Sequence, residues 1–355
     1  MSLLQRLSDW WSAPQIPIWY DPSYRLPFTT MQARVGFDPR RADLVLWFLE
    51  EEGILGKEQR RHPERIAYSD LARVHEAAWL EALSGPETLA RVFALEAWDI
   101  QVDPLLSAIR MACGGTLAAA REALQLRGAA LNLFGGFHHA YPGKGAGMCA
   151  VNDIAVAVAV LRSEGFSGRI GVIDLDAHPP DGTAACAEKL GDFWIGSISG
   201  ADWGKLPGVD ETVLPGAGDN LYLEQLTELL QRMPPCALVF VIAGGDVLAG
   251  DPLGGLALSF EGAWERDRRV GEKVKGLPSV WLPGGGYRED AWRLLAGTAW
   301  ILRRQSHPKI PTTVDPMALR YARLSEEIPK EQLGSWELSD DDLAVTLGLR
   351  PAKPD

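Results

Sequence analysis

Cysteine is scarce and unpaired in this sequence. Cys113, Cys149, Cys186 and Cys236 are the four in 355 residues, and no two form a CxxC pair. That spacing reads as reduced thiols, not as a disulfide scaffold. The opening MSLLQRLSDWW also lacks a basic-then-apolar leader, so the expected location is cytoplasmic. Positive charge is short: 35 Lys+Arg stand against 47 Asp+Glu, a formal charge of −12. Such a balance repels nucleic acid and anionic membrane by default, and no nucleic-acid partner is expected. No window approaches about eighteen uninterrupted apolar residues, so no membrane span is expected. Fixed-period repeats and low-complexity tracts are missing too. What is present is a chain 46% hydrophobic, enough to bury a large core as one big α/β domain or two ordinary ones.

Short apolar runs alternate with helical patterns. IPIWY (16–20), AALNLF (129–134), RIGVID (169–174), FWIGSIS (193–199), CALVFVIAG (236–244) and PSVWLPGG (278–285) read as strands. Segments such as RRADLVLWFLEEEG, DLARVHEAAWLEAL, LLSAIRMACGGTLAAAREAL and NDIAVAVAVLRSEG carry helical spacing between them. Strands apolar at every position suit a sheet covered on both faces. The expected fold is therefore α/β: a single open, mostly parallel sheet with helices on both faces. Composition shifts only after Arg304, where QSHPKIPTTVDP leads into a polar, acidic stretch. We expect a catalytic domain over 1–304 and a C-terminal extension over 305–355. That extension reads as short helical or irregular pieces packed on the domain or on a partner, with homo-oligomerisation through it an open option.

Ligands of open parallel sheets sit outside the carboxyl ends of the strands. The unusual residues fall there repeatedly: GGFHHA (135–140), DLDAHPPDG (174–182), GGD (244–246) and GGGY (284–287) each follow a strand. Asp176 and His178 alternate on extended backbone, so both point to one side and can share an ion. Asp246 is the candidate third ligand, and two carboxylates with one imidazole leave a coordination position open, as a catalytic zinc site requires. The competing reading is a buried, hydrogen-bonded Asp176–His178 pair. His138 and His139 offer proton transfer near neutral pH, one to the attacking water and one to a leaving amine. Each needs an orienting carboxylate, and Asp174 and Asp181 are acids available in the right segment. Tyr287, after three glycines, can bring a phenol over the site as an oxyanion donor, or can be a packed aromatic at a glycine turn. His62, in RRHPER, and His75, in an amphipathic stretch, read as an exposed and a satisfied core histidine.

The assembled set resembles the zinc-dependent histone deacetylase family over about residues 17–304. GGFHHA, GAGMCAVNDIAVA, DLDAH, AGGDVLAGDPLGGLALS and GGGY stand in the family's order, most like its class IV branch. The resemblance implies an arginase/deacetylase-like fold and hydrolysis of N-acylated lysine. It implies zinc (ferrous iron being the other candidate) on Asp176, His178 and Asp246. His138 and His139 become the acid–base pair, His138 oriented by Asp174 and His139 by Asp181, with Tyr287 as oxyanion donor. Gly147 would offer its carbonyl to the substrate amide. A structural potassium ion would be held by backbone oxygens of 174–178 and by Ser197.

Departures from the family pattern also carry expectations. Pro179–Pro180 after the ligand histidine denies positive φ and puts the Asp181–His139 contact in doubt. Val35–Gly36 before Phe37–Asp38 departs from the usual His-Pro and points to a remodelled pocket mouth. Where many deacetylases place two phenylalanines, Met148 and Leu214 stand here, with Leu253 as a third wall; all three read equally well as core residues. Softer walls favour acyl chains longer than acetyl. Deacylation of small molecules such as acylated polyamines, and non-catalytic binding of acyl-lysine, are the alternatives. A dimanganese ureohydrolase is excluded, because it needs DAHxD where this chain has DAHPPD.

Overall fold

The computed structural model describes residues 16–27, 37–56 and 59–310. Val35–Gly36, the amino-terminal stretch and all of the extension beyond Ile310 lie outside the described residues.

Eight strands form one sheet in the order β2-β1-β3-β8-β7-β4-β5-β6. In chain order these are β1 (Ile18–Trp19), β2 (Arg60–Arg61), β3 (Ala129–Asn132), β4 (Ile170–Asp174), β5 (Phe193–Ser199), β6 (Val209–Val213), β7 (Leu238–Ile242) and β8 (Ser279–Leu282). Every pairing is parallel. The continuous apolar runs explain the arrangement. Every residue of β4, β7 and β8 is buried, which requires helices on both faces. Among the covering helices, Val102–Leu126 packs on β3 and β8, and Phe260–Lys273 packs on Trp292–Arg304.

Two strands escape the sequence pattern. β2 is two arginines at the sheet edge, and β6 (VDETV) is half-buried throughout. Neither has the apolar continuity that marks a central strand. The stretch read as one helix over 70–83 splits into Tyr68–Leu71 and Ala77–Ala82. His75 lies in the break, buried, with Nδ1 on the Tyr141 carbonyl (3.0 Å) and Nε2 accepting the Asn152 N–H (2.9 Å). No helix among the described residues is long and apolar enough to cross a membrane.

The order of the strands is what builds the site. β3, β8, β7 and β4 are consecutive neighbours in the sheet, although of these pairings only β7 with β8 joins strands that follow one another in the chain. Their carboxyl ends deliver GGFHHA, GGGY, GGD and DLDAH to one rim.

Candidate active site

Asp176, His178 and Asp246 converge, with one potential ligand atom from each lying within 4.8 Å of the others. His178 Nδ1 is 3.1 Å from Asp176 Oδ1 and 3.1 Å from Asp246 Oδ2. Its Nε2 faces the Leu253 carbonyl at 3.0 Å. A carbonyl only accepts, so Nε2 carries a proton; Nδ1 faces two carboxylate oxygens, to which it donates unless a cation at the centre of the triad takes that proton's place. Backbone N–H groups hold the carboxylates in turn. Gly285 donates to Asp176 Oδ2 (2.7 Å), His178 to Asp176 Oδ1 (3.0 Å) and Ala177 to Asp246 Oδ1 (3.0 Å).

The electrostatics of the triad fit a cation. Both carboxylates are buried. Burial, then the charge of Asp176, pushes the Asp246 carboxyl up to about 7. Burial pulls the His178 imidazole down, but its hydrogen bonds to Asp176 and Asp246 outweigh that and lift it to about 11. Two buried acids and an imidazole compete for positive charge that a divalent ion supplies. The donor set of two oxygens and one nitrogen suits zinc or iron, with an open side for substrate.

The tandem histidines diverge. His138 Nδ1 donates to Asp174 Oδ2 (2.9 Å), and His139 Nδ1 donates to Asp181 Oδ1 (2.7 Å). Burial lowers His138, yet Asp174 and then Asp176 prevail and raise it to about 9. His139 is pushed below its ordinary value by burial and by the neighbouring His138, whose ring centroid lies 4.0 Å away. One imidazole is thus charged and the other neutral at neutral pH.

The diproline does not break the Asp181 contact. Asp181 N–H bonds back to the Pro179 carbonyl (2.9 Å), a tight turn that the fixed proline φ permits, and the Asp181–Ala187 helix starts at once. Thr183 N–H then ties that helix to the His138 carbonyl (2.8 Å). Asp181 also accepts from Tyr141 (2.9 Å).

Tyr287 lines the same cavity as His138, His139 and Asp176. Its phenol is raised well above the usual range by burial and then by Asp176 and Asp246. Its backbone N–H donates to Asp251 Oδ2 (2.7 Å), whose Oδ1 takes the N–H groups of Leu253 and Gly254 (both 3.0 Å). Asp251 therefore couples the loop that supports His178 to the strand end that carries Tyr287.

The cavity holds about 50 Å³, with an apolar inner wall of Leu26, Phe37, Phe93, Ile109, Phe134 and Met148. Gly147 and Met148 both adopt left-handed backbone, at φ +51° and +63°. A Cβ on Gly147 would stand 2.3 Å from His139 Cδ2, so only glycine fits there. Its carbonyl accepts from Cys149 Sγ (3.3 Å). Met148 pays for its position with φ strain, offset in part by its N–H bond to the Val92 carbonyl (2.9 Å).

Two expected walls lie elsewhere. Leu214 and Leu253 do not line this cavity. Leu214 is half-buried against the core and donates its N–H to Ser199 (2.8 Å), continuing the β5–β6 pairing. Leu253 is 40% exposed, because its loop turns the backbone carbonyl, not the side chain, toward His178. Trp203, exposed in the loop after β5, is the aromatic that packs on the histidines, with its ring centroid 5.2 Å from His139 and 5.8 Å from His178. Arg41 was also unforeseen. It is buried on the cavity wall, and its guanidinium donates to the Gly284 (2.6 Å) and Gly285 (3.3 Å) carbonyls. Neither residue sits in a motif that marks it.

A parallel α/β sheet with paired histidines, a carboxylate–imidazole triad and a glycine-hinged tyrosine at one rim defines the arginase/deacetylase fold. The chain belongs to the histone deacetylase family, whose histone deacetylase domain matches residues 36–301. It is 32% identical to histone deacetylase 2 of Arabidopsis thaliana over 315 residues, covering 82% of this chain and 79% of that protein. It is 28% identical to a histone deacetylase-like amidohydrolase of Pseudomonas aeruginosa over 338 residues, 86% and 85% of the two chains. Family membership makes it a hydrolase of acylated amides.

Proposed function

We propose that the protein is a metal-dependent lysine deacylase, with zinc held by Asp176, His178 and Asp246. The observation that carries this reading is the meeting of that triad with a neutral histidine and a tyrosine on one cavity. When bound, the ion supplies Lewis acidity to the acyl carbonyl and to water. The chain's own groups do the rest. Asp181 holds the His139 ring with its proton on Nδ1, leaving Nε2 free to take a proton from the attacking water and pass it to the departing amine. His138, kept charged by Asp174, contributes a fixed positive charge beside the reacting centre. Tyr287, protonated across the working range, donates to the developing oxyanion. Gly147 presents its carbonyl to the substrate amide N–H, and Met148 lines the acyl path.

The acyl preference extends beyond acetyl by a few carbons. The cavity of about 50 Å³, part of its wall apolar, exceeds what one water needs several-fold, and Met148 can adapt its rotamers to a longer tail. A potassium ion near 174–178 fits Ser197, whose buried Oγ has no hydrogen-bond partner among the described residues. The four cysteines, all free and buried, suit a reducing, cytoplasmic setting. The test is metal analysis of the purified protein with a series of lysine peptides differing only in acyl length, compared by kcat/KM. One divalent ion per chain and an optimum at an acyl group longer than acetyl support the reading, and an acetyl optimum overturns the chain-length preference. A metal-free protein inert toward the whole series refutes it.

A further inference from the structure

We infer that Arg266 is a positioning residue for the metal-binding carboxylates, clamping from beneath the two strand ends that present Asp176 and Asp246. The inference rests on the metal-site reading given above.

Arg266 lies on the Phe260–Lys273 helix in the run ERDRR. Its neighbours Arg268 and Arg269 reach outward to Glu265, whereas Arg266 is 0% exposed. A guanidinium is buried only at a heavy desolvation cost, and an aliphatic side chain would fill the same space without it. The placement of its donors shows what the charge is for. Nε donates to Asp267 Oδ1 (2.8 Å), and Asp267 Oδ2 accepts from Thr298 Oγ1 (2.6 Å). The charge is thereby balanced within the helix layer. Nη1 reaches through the sheet to two carbonyls, Leu175 (3.1 Å) and Gly244 (2.8 Å).

Those carbonyls mark the place where β4 and β7 stop pairing. Their register ends at Asp174–Ile242, and the last backbone bond across the pair is Leu175 N–H to the Ile242 carbonyl (3.0 Å). Leu175 immediately precedes Asp176, and Gly244 is two residues before Asp246. The two backbones run close here: a Cβ on Gly244 would lie 2.7 Å from Asp176 Cα. Two carboxylates leave this junction side by side. Each strand end is tied on its outer side, the Ala177 carbonyl by the Gly200 N–H (2.8 Å) and the Gly245 N–H by the Gly285 carbonyl (2.9 Å). Among the described residues, no further backbone rung joins the two to each other. One nitrogen of Arg266, bonded to both carbonyls, takes the place of that rung. Its planar fork aims Nη1 at the carbonyls while Nε keeps Asp267, a geometry lysine cannot reproduce.

The experiment uses the full-length protein and two variants, Arg266→Met/Asp267→Asn and Arg266→Lys. The double variant removes both charges and keeps an acceptor for Thr298. The lysine variant keeps the charge and the Asp267 partner, but its ammonium ends short of the carbonyls. Readouts are the Tm of the metal-free protein, zinc Kd by chelator competition, the visible spectrum of the cobalt(II) form, and kcat and KM separately. The expected result is a folded metal-free protein with zinc affinity weakened roughly 10- to 100-fold, as loss of a supporting partner does elsewhere. The cobalt bands shift, and kcat falls while KM holds. Wild-type zinc affinity and an unchanged cobalt spectrum in a folded variant would overturn the proposal, leaving Arg266 as a partner for Asp267 alone. Should the double variant not fold, the lysine variant decides by the same two measurements. Wild-type protein that binds neither ion overturns the metal-site reading, and this proposal with it.

Discussion

The two ends of the one sheet are built on opposite terms. At the carboxyl end, Asp174, Asp176 and Asp246 are buried together with His138 and His139. At the amino end, the cavity between Ile16, Ala129, Val274, Leu277 and Leu302 is lined by no acidic side chain. Its backbone groups close simple ladders, as where Ser279 N–H meets the Gly128 carbonyl and Leu131 N–H the Pro17 carbonyl (both 3.0 Å). Both ends draw on the same strands and covering helices. The acids load one rim with like charge that a cation bound there would relieve, and the other end of the sheet forms without them.

The largest effect is expected at that loaded rim. Asp246→Ala should abolish metal binding and activity, while Asp246→Asn should leave the metal-free protein at least as stable as metal-free wild type, measured by thermal melting. A lower Tm for the asparagine variant would contradict the electrostatic reading. Next, Tyr287→Phe should lower kcat by roughly 10²–10³ with metal content intact, the usual consequence of losing one oxyanion donor. Turnover near wild type would assign the tyrosine to packing.

His75 sharpens the comparison, because it is buried without facing an acid. Burial holds its imidazole down at about 4 against an ordinary 6.5. The folded value lies below the unfolded one, so between those limits the unfolded chain takes up a proton that the folded chain refuses. Its contribution is complete above 6.5 and is lost as pH falls toward 4, by about 3 kcal/mol in all. His75→Gln should flatten that part of the stability–pH curve in urea titrations; an identical slope would remove His75 from the account. Smaller still, Trp203→Ala should raise KM for acyl-lysine peptides roughly 2- to 10-fold, the worth of one aromatic contact. Lys275→Ala, at the amino end, should alter neither kcat/KM nor, beyond about 0.5 kcal/mol, stability.

Much of this was legible in the chain. Unbroken apolar runs announce central parallel strands because both faces of such a strand are covered, and six of the eight strands carry that mark. Glycine-flanked histidines and acids after those runs announce the rim, since ligand sites of open parallel sheets collect there. Asp176, His178 and the family likeness could be read from a handful of consecutive letters. Local chemistry determined that much.

Only the tertiary structure decided the remainder, because it turns on distance across the chain and on which way a loop faces. The β3-β8-β7-β4 adjacency brings His138, Asp176 and Tyr287 onto one cavity with Asp246 beside Asp176, and pairing of distant strands has no local signature. Two adjacent, identical histidines acquire opposite pKa shifts through different neighbours. Leu253 was read as a wall by its side chain, yet the fold uses its carbonyl. In ERDRR the letters of Arg266 and Arg268 are the same, and only packing sends one under the strand ends of Asp176 and Asp246 and the other into solvent.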